Sequence, residues 1–126
     1  MPRFTPRPTD AELAILRVLW ERGPSTVRQV HEALGEERET GYTTSLKLMQ
    51  IMAEKGILKR DETSMKHVYS AALEEQKTKG MLLERFVDSM YNGSASNLLM
   101  QLLGNKKTSK KELETIKELL KKLDKE

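Results

Sequence analysis

Between Thr40 and Glu54 polar and apolar side chains recur with the period of a helix. At about 100° per residue, Thr43, Lys47, Gln50 and Glu54 fall on one polar stripe, with Ser45, Leu48, Met49 and Met52 opposite. One side can pack on a core while the other presents hydroxyl, ammonium and amide groups. Lys55-Gly56 ends the run, the glycine being suited to a left-handed terminus and the lysine to the negative end of the helix. Ile57–Arg60 and Lys66–Ala71 then predict two short strands around the polar turn Asp61-Glu62-Thr63-Ser64-Met65.

Upstream, Thr9-Asp10-Ala11-Glu12 has the form of a capping box. The helix it opens carries Leu13, Leu16 and Trp20 on one face and stops at Arg22-Gly23-Pro24. Ser25 is expected to cap a second helix with Val27, Val30 and Leu34 inward, ended by Gly35, and Glu36–Glu39 forms a charged loop. Downstream of Glu74 the pattern is helical throughout. Leu82, Leu83, Phe86, Val87 and Met90 share a face that ends at Asn92-Gly93. Ser94 caps a short helix bearing Leu98, Leu99, Leu102 and Leu103, and Ser109-Lys110-Lys111-Glu112 opens an amphipathic helix with Leu113, Ile116, Leu120 and Leu123. Three helices of this size are near the limit for a self-sufficient core, so the leucine stripes are expected to meet a second copy of the chain.

Charge changes this picture little. The net charge is +3, and residues 1–73 hold 11 Lys+Arg against 10 Asp+Glu. Any field that attracts a polyanion is therefore local, from Lys47, Lys55, Lys59, Arg60 and Lys66 facing Glu54, Asp61 and Glu62. The chain has no cysteine, which excludes a disulfide framework, a thiol nucleophile and cysteine metal ligation. The N-terminal residues lack the apolar run of a signal peptide, and no segment approaches the roughly 18 apolar residues of a membrane span. A cytoplasmic protein is expected.

Catalytic motifs are missing from the sequence: no glycine-rich phosphate loop, no nucleophile elbow and no paired-histidine metal motif. Asp10/Glu12 and Asp61/Glu62 fall at a helix start and a turn, where acids have structural uses. His67 and His31 lie on different elements, so neither is expected to ligate a metal, and His31 reads as a boundary residue beside Val27 and Leu34. The chain is not expected to be an enzyme or to carry a cofactor.

Three short helices followed by a hairpin is the order of a winged helix. Glu12-Leu13 with Leu19-Trp20, Tyr42-Thr43-Thr44, Glu54-Lys55-Gly56, Val68-Tyr69-Ser70, Asn92-Gly93-Ser94 and the helix from Ser109 to Leu120 together resemble the penicillinase repressor (BlaI/MecI) family over almost the whole chain. The resemblance implies a mainly α fold with a small β-hairpin wing. It places a winged helix-turn-helix over residues 1–73 and a helical dimerisation region over residues 74–126. It further implies a homodimeric transcriptional repressor gripping a near-palindromic promoter operator of double-stranded DNA.

Carried over by position, Thr43, Thr44 and Lys47 face DNA near the start of the recognition helix, with Gln50 suited to an adenine edge. Arg60, Lys66 and His67 suit phosphates. Leu82, Phe86, Met90, Leu98, Leu99, Leu102, Leu113, Ile116 and Leu120 are the expected dimer interface. The β-lactam-responsive relatives are released by a membrane-bound sensor protease at an asparagine-phenylalanine bond, where this chain has Gln101-Leu102. The copper-responsive relatives use clustered C-terminal cysteines, which are absent here. The competing reading is a winged-helix module that docks protein without sequence-specific DNA binding, for which Leu46 and Ile51 beside the polar stripe are the apolar hint.

Overall fold

The computed structural model describes residues 7–35, 41–104 and 109–124; the charged stretch 36–39, Thr40 and the lysines at 106 and 107 lie outside them. Along the chain come α1 (Asp10–Arg22), β1 (Ser25–Thr26), α2 (Val27–Leu34), α3 (Tyr42–Glu54), β2 (Leu58–Asp61), β3 (Val68–Ala71), α4 (Glu75–Tyr91), α5 (Ala95–Gly104) and α6 (Lys110–Asp124). The mainly helical fold with a small antiparallel sheet is the one expected. No helix among the described residues is long and apolar enough to cross a membrane.

Thr9 opens α1 as the sequence predicts. Its hydroxyl accepts from the Glu12 backbone N–H at 3.2 Å, and the Glu12 carboxylate accepts from the Thr9 N–H at 2.9 Å. The buried face is broader than the Leu13, Leu16, Trp20 stripe. Ile15 and Leu19 are buried with Leu16, while Leu13 and Trp20 are half-buried at the flanks. The reason is that α1 packs on α2, α3 and β3 together, which requires an apolar arc wider than one stripe. Trp20 keeps its indole nitrogen satisfied by donating to the Leu73 carbonyl at 2.9 Å.

Ser25 does not cap α2. It sits in β1, buried, and its hydroxyl donates to the Gly23 carbonyl at 2.9 Å. Thr26 takes the cap in a reciprocal box with Gln29, at 3.2 and 2.9 Å. The shift follows from strand pairing: β1 runs antiparallel to β3, Ser25 opposite Tyr69 and Thr26 opposite Val68. A two-residue strand has no periodicity to read, so this third strand is legible only in the fold. The sheet order is β1-β3-β2, which places Tyr69 at its centre with only 1% of its surface exposed.

The end of α3 is a Schellman turn. Gly56 adopts φ +84°, its N–H donates to the Ala53 carbonyl at 3.1 Å, and the Ile57 N–H reaches back to Met52 at 2.9 Å. Ile57 and Met52 are both buried there, so Ile57 belongs to the helix terminus and β2 begins at Leu58. With Val27, Val30, Leu34, Met49 and Leu58 they extend the core built on α1.

The chain separates into two compact units, residues 1–79 and 80–126. In the second, Ser94 accepts from the Asn97 N–H and Ser109 from the Glu112 N–H, each at 3.1 Å, so both capping expectations hold. None of the described side chains from residue 80 to 122 is fully buried. Leu82, Leu98, Leu99, Leu113 and Ile116 are half-buried; Phe86, Met90, Leu102 and Leu120 are exposed.

Candidate nucleic-acid interface

Helices α2 and α3 pack against each other, with the wing formed by β2, β3 and the turn between them. Helix α3 faces two ways, as its period requires. Ser45, Met49 and Met52 are buried; Thr43, Thr44, Lys47, Gln50 and Glu54 are exposed. Leu48, expected on the inner side, is half-buried at the edge.

The seven residues selected for DNA do not form one cluster. Thr43, Thr44 and Lys47 share a depression on the free side of α3. Gln50, Lys66 and His67 line a cleft of about 540 Å³ between α2, α3 and the wing turn. Arg60 lies across a separate groove of about 440 Å³ with Lys59, Glu54 and Glu62, and Gln50 borders this one as well. Gln50 is thus the residue common to the helix and both edges of the wing.

Acidic neighbours divide the basic side chains. Arg60 Nη2 is 3.5 Å from Glu62, and His67 Nε2 is 3.9 Å from the same carboxylate. A hydrogen bond with Tyr69, its partner across the strands, and then the Glu62 charge hold the Arg60 guanidinium firmly protonated. Lys47 and Lys66 make no ion pair among the described residues, so both are available to a phosphate or base edge. The wing turn is itself ordered by Asp61. Its carboxylate accepts from the Thr63 N–H at 2.9 Å and the Thr63 hydroxyl at 2.7 Å, and those bonds lower its pKa.

The cleft adds residues that the sequence did not single out. Arg28 and Gln29 come from the first turn of α2, and Tyr42 from the first turn of α3. The Arg28 guanidinium stands 4.8 Å over the Tyr42 ring, a cation–π contact. The Tyr42 ring meets His31 edge to face at 5.8 Å, and His31 Nδ1 lies 3.0 Å from the buried Ser45 hydroxyl. His31 is therefore more than a boundary residue: it fastens α2 to α3. The signal that could have flagged Arg28 is the Thr26-x-x-Gln29 capping box, which sets it at a helix start beside α3. Among the described residues no group of three histidines or acids is placed to hold a metal ion.

Two packed helices, a third helix of the domain with an exposed polar face, and a β2–β3 wing on a three-stranded sheet define the winged-helix class. Within it, the chain belongs to the penicillinase repressor family, whose model matches residues 8–122. It is 30% identical over 96 residues to the transcriptional regulator BlaI of Mycobacterium tuberculosis, covering 75% of this chain and 70% of that protein. The penicillinase repressor of Staphylococcus aureus is 21% identical over 110 residues, 87% of each chain. The methicillin resistance regulatory protein MecI of Staphylococcus epidermidis is 19% identical over 114 residues, 90% of this chain and 93% of its own. The resemblance read from the sequence is borne out.

Proposed function

We propose that the protein is a homodimeric transcriptional repressor that binds a near-palindromic promoter operator in the cytoplasm. The observation that carries this reading is the exposed face of α3, where Thr43, Thr44, Lys47 and Gln50 point away from a well-packed core. Residues 1–73 act as the DNA-binding part. Helix α3 enters the major groove, Thr43, Thr44, Lys47 and Gln50 meet base edges or phosphates, and Arg60, Lys66 and His67 meet flanking phosphates. Repression is steric, by occupation of promoter DNA.

Residues 74–126 hold two copies together. Support comes from the apolar side chains of α4 to α6, Phe86, Met90 and Leu120 among them, which stay 44–63% exposed in a single copy. The pair Gln101-Leu102 is the candidate site for a membrane-bound sensor protease. It lies within α5, so cleavage there requires the helix to open locally.

The test is fluorescence anisotropy of the purified protein on the promoter DNA upstream of its own gene, beside a scrambled duplex at roughly physiological salt. A preference for the native fragment of about a thousandfold or more is expected. Equal, weak, salt-sensitive binding to both duplexes would leave a nonspecific DNA binder. Binding to neither would favour a protein-docking module.

A further inference from the structure

The outward arc of α3 has two chemically different halves. Thr43, Lys47 and Gln50 form a polar ridge. Beside it run Thr44, Leu48 and Ile51, and together with Thr43 and Lys47 they line a shallow depression of about 300 Å³ whose walls come from α3 alone. Ile51 is 38% exposed. Among the described residues it is the one large aliphatic side chain on α1 to α3 that stays exposed. No acidic side chain lines the depression.

Duplex DNA offers one apolar feature in its major groove, the C5-methyl of thymine. A hydrophobic protein segment is the rival occupant. Seating one here would bring the Lys47 ammonium, with no ion pair among the described residues, out of water without a partner. Against DNA the same ammonium meets a phosphate or a guanine edge while the methyls beside it stay in apolar contact. We propose that Thr44, Leu48 and Ile51 read thymine methyl groups, so that each operator half-site carries one or two thymines under this depression. The inference rests on the operator-binding reading and adds its chemical specificity. Thr44 contributes its own methyl, and Leu48 and Ile51 the aliphatic lining.

Random duplexes are selected with the full chain, and each thymine of the enriched site is then replaced singly by deoxyuridine. That change deletes one methyl and leaves every hydrogen-bonding edge intact. One or two replacements per half-site should weaken binding about three- to fivefold each, the effect of burying one methyl. Ile51→Ala, and Thr44→Ser as the milder variant, should shrink that penalty towards zero while the protein still melts cooperatively. A structural defect would lower affinity for both duplexes alike and leave the thymine-to-uracil ratio unchanged. Replacements without effect, or a ratio unaltered in both variants, would overturn the inference while leaving operator binding standing. If no sequence is enriched, the operator-binding reading fails and this inference fails with it.

Discussion

The Lys55 ammonium sits 2.7 Å from a Glu12 carboxylate oxygen and joins the last turn of α3 region to the first turn of α1. Glu12 is 2% exposed, so this is a buried acid with a partner at the protein surface. Its two oxygens have separate tasks: one completes the Thr9 capping box, the other receives Lys55. The pair therefore ties the end of α3 to the start of α1. Lys55 reads in the sequence as a dipole cation, and Glu12 as a cap. Only the fold brings them together.

Stability should depend on acid through Glu12. Burial pushes its pKa up, but the hydrogen bond and charge of Lys55 and the Thr9 N–H together outweigh burial and bring the value below 4.5. A lowered folded pKa gives stability that is complete above the unfolded carboxylate range and lost as pH falls through the folded value. Glu12→Gln should cost about 1–2 kcal/mol at neutral pH and flatten the decline below about pH 4.5. Urea unfolding at several pH values checks both, and an unchanged acid slope would contradict the assignment.

Lys47 and Arg60 should contribute to DNA affinity in different ways. Lys47 makes no ion pair among the described residues, whereas Arg60 shares its charge with Glu62 at 3.5 Å. The double variant Lys47→Ala, Arg60→Ala should reduce the slope of log affinity against log salt by roughly 1 to 2. A titration series between low and physiological salt measures it.

Glu62 lies beside two candidate phosphate ligands, Arg60 at 3.5 Å and His67 at 3.9 Å, and repels the phosphates themselves. Glu62→Gln should strengthen binding to specific and scrambled duplexes by the same factor, about two- to fivefold on the scale of an exposed ion pair. A gain confined to the specific site would show that the wing reads bases.

Arg28 lies over Tyr42 beside α3 and faces the cleft with Lys66 and His67. Arg28→Ala should weaken all duplexes alike, whereas Gln50→Ala should relax preference at one base pair by about 1–3 kcal/mol. Competition with single-base operator variants separates the two outcomes.

The exposed apolar side chains of α4 to α6 predict the oligomeric state. Met90 and Leu120 are 63% and 47% exposed in one copy, so Met90→Glu with Leu120→Glu should not disturb a single copy's packing. Sedimentation should show a monomer, with operator affinity falling steeply as the second half-site ceases to be effectively intramolecular. A variant that still sediments as a dimer would move the interface elsewhere.

Where periodicity was strong, the sequence was a sufficient guide. Thr43, Lys47 and Gln50 are exposed and Met49 and Met52 buried because a thirteen-residue helix leaves its sides no other choice. The Thr9 box and the Gly56 terminus are likewise local, since each is closed by residues within a few positions. The cap at Ser25 failed because a strand partner more than forty residues away claims that residue.

By itself, then, the chain determined its helices, most of their ends, the hairpin and the family, all of which rest on short-range backbone chemistry and the spacing of apolar residues. The tertiary structure decided what depends on contacts between distant segments. It paired Ser25 with Tyr69, set Lys55 on Glu12, and linked Arg28, Tyr42, His31 and Ser45 across two helices. It also separated Arg60 from the cleft that holds Gln50, Lys66 and His67. Such pairings carry no period along the chain, because each is selected by the packing of whole elements on the shared core.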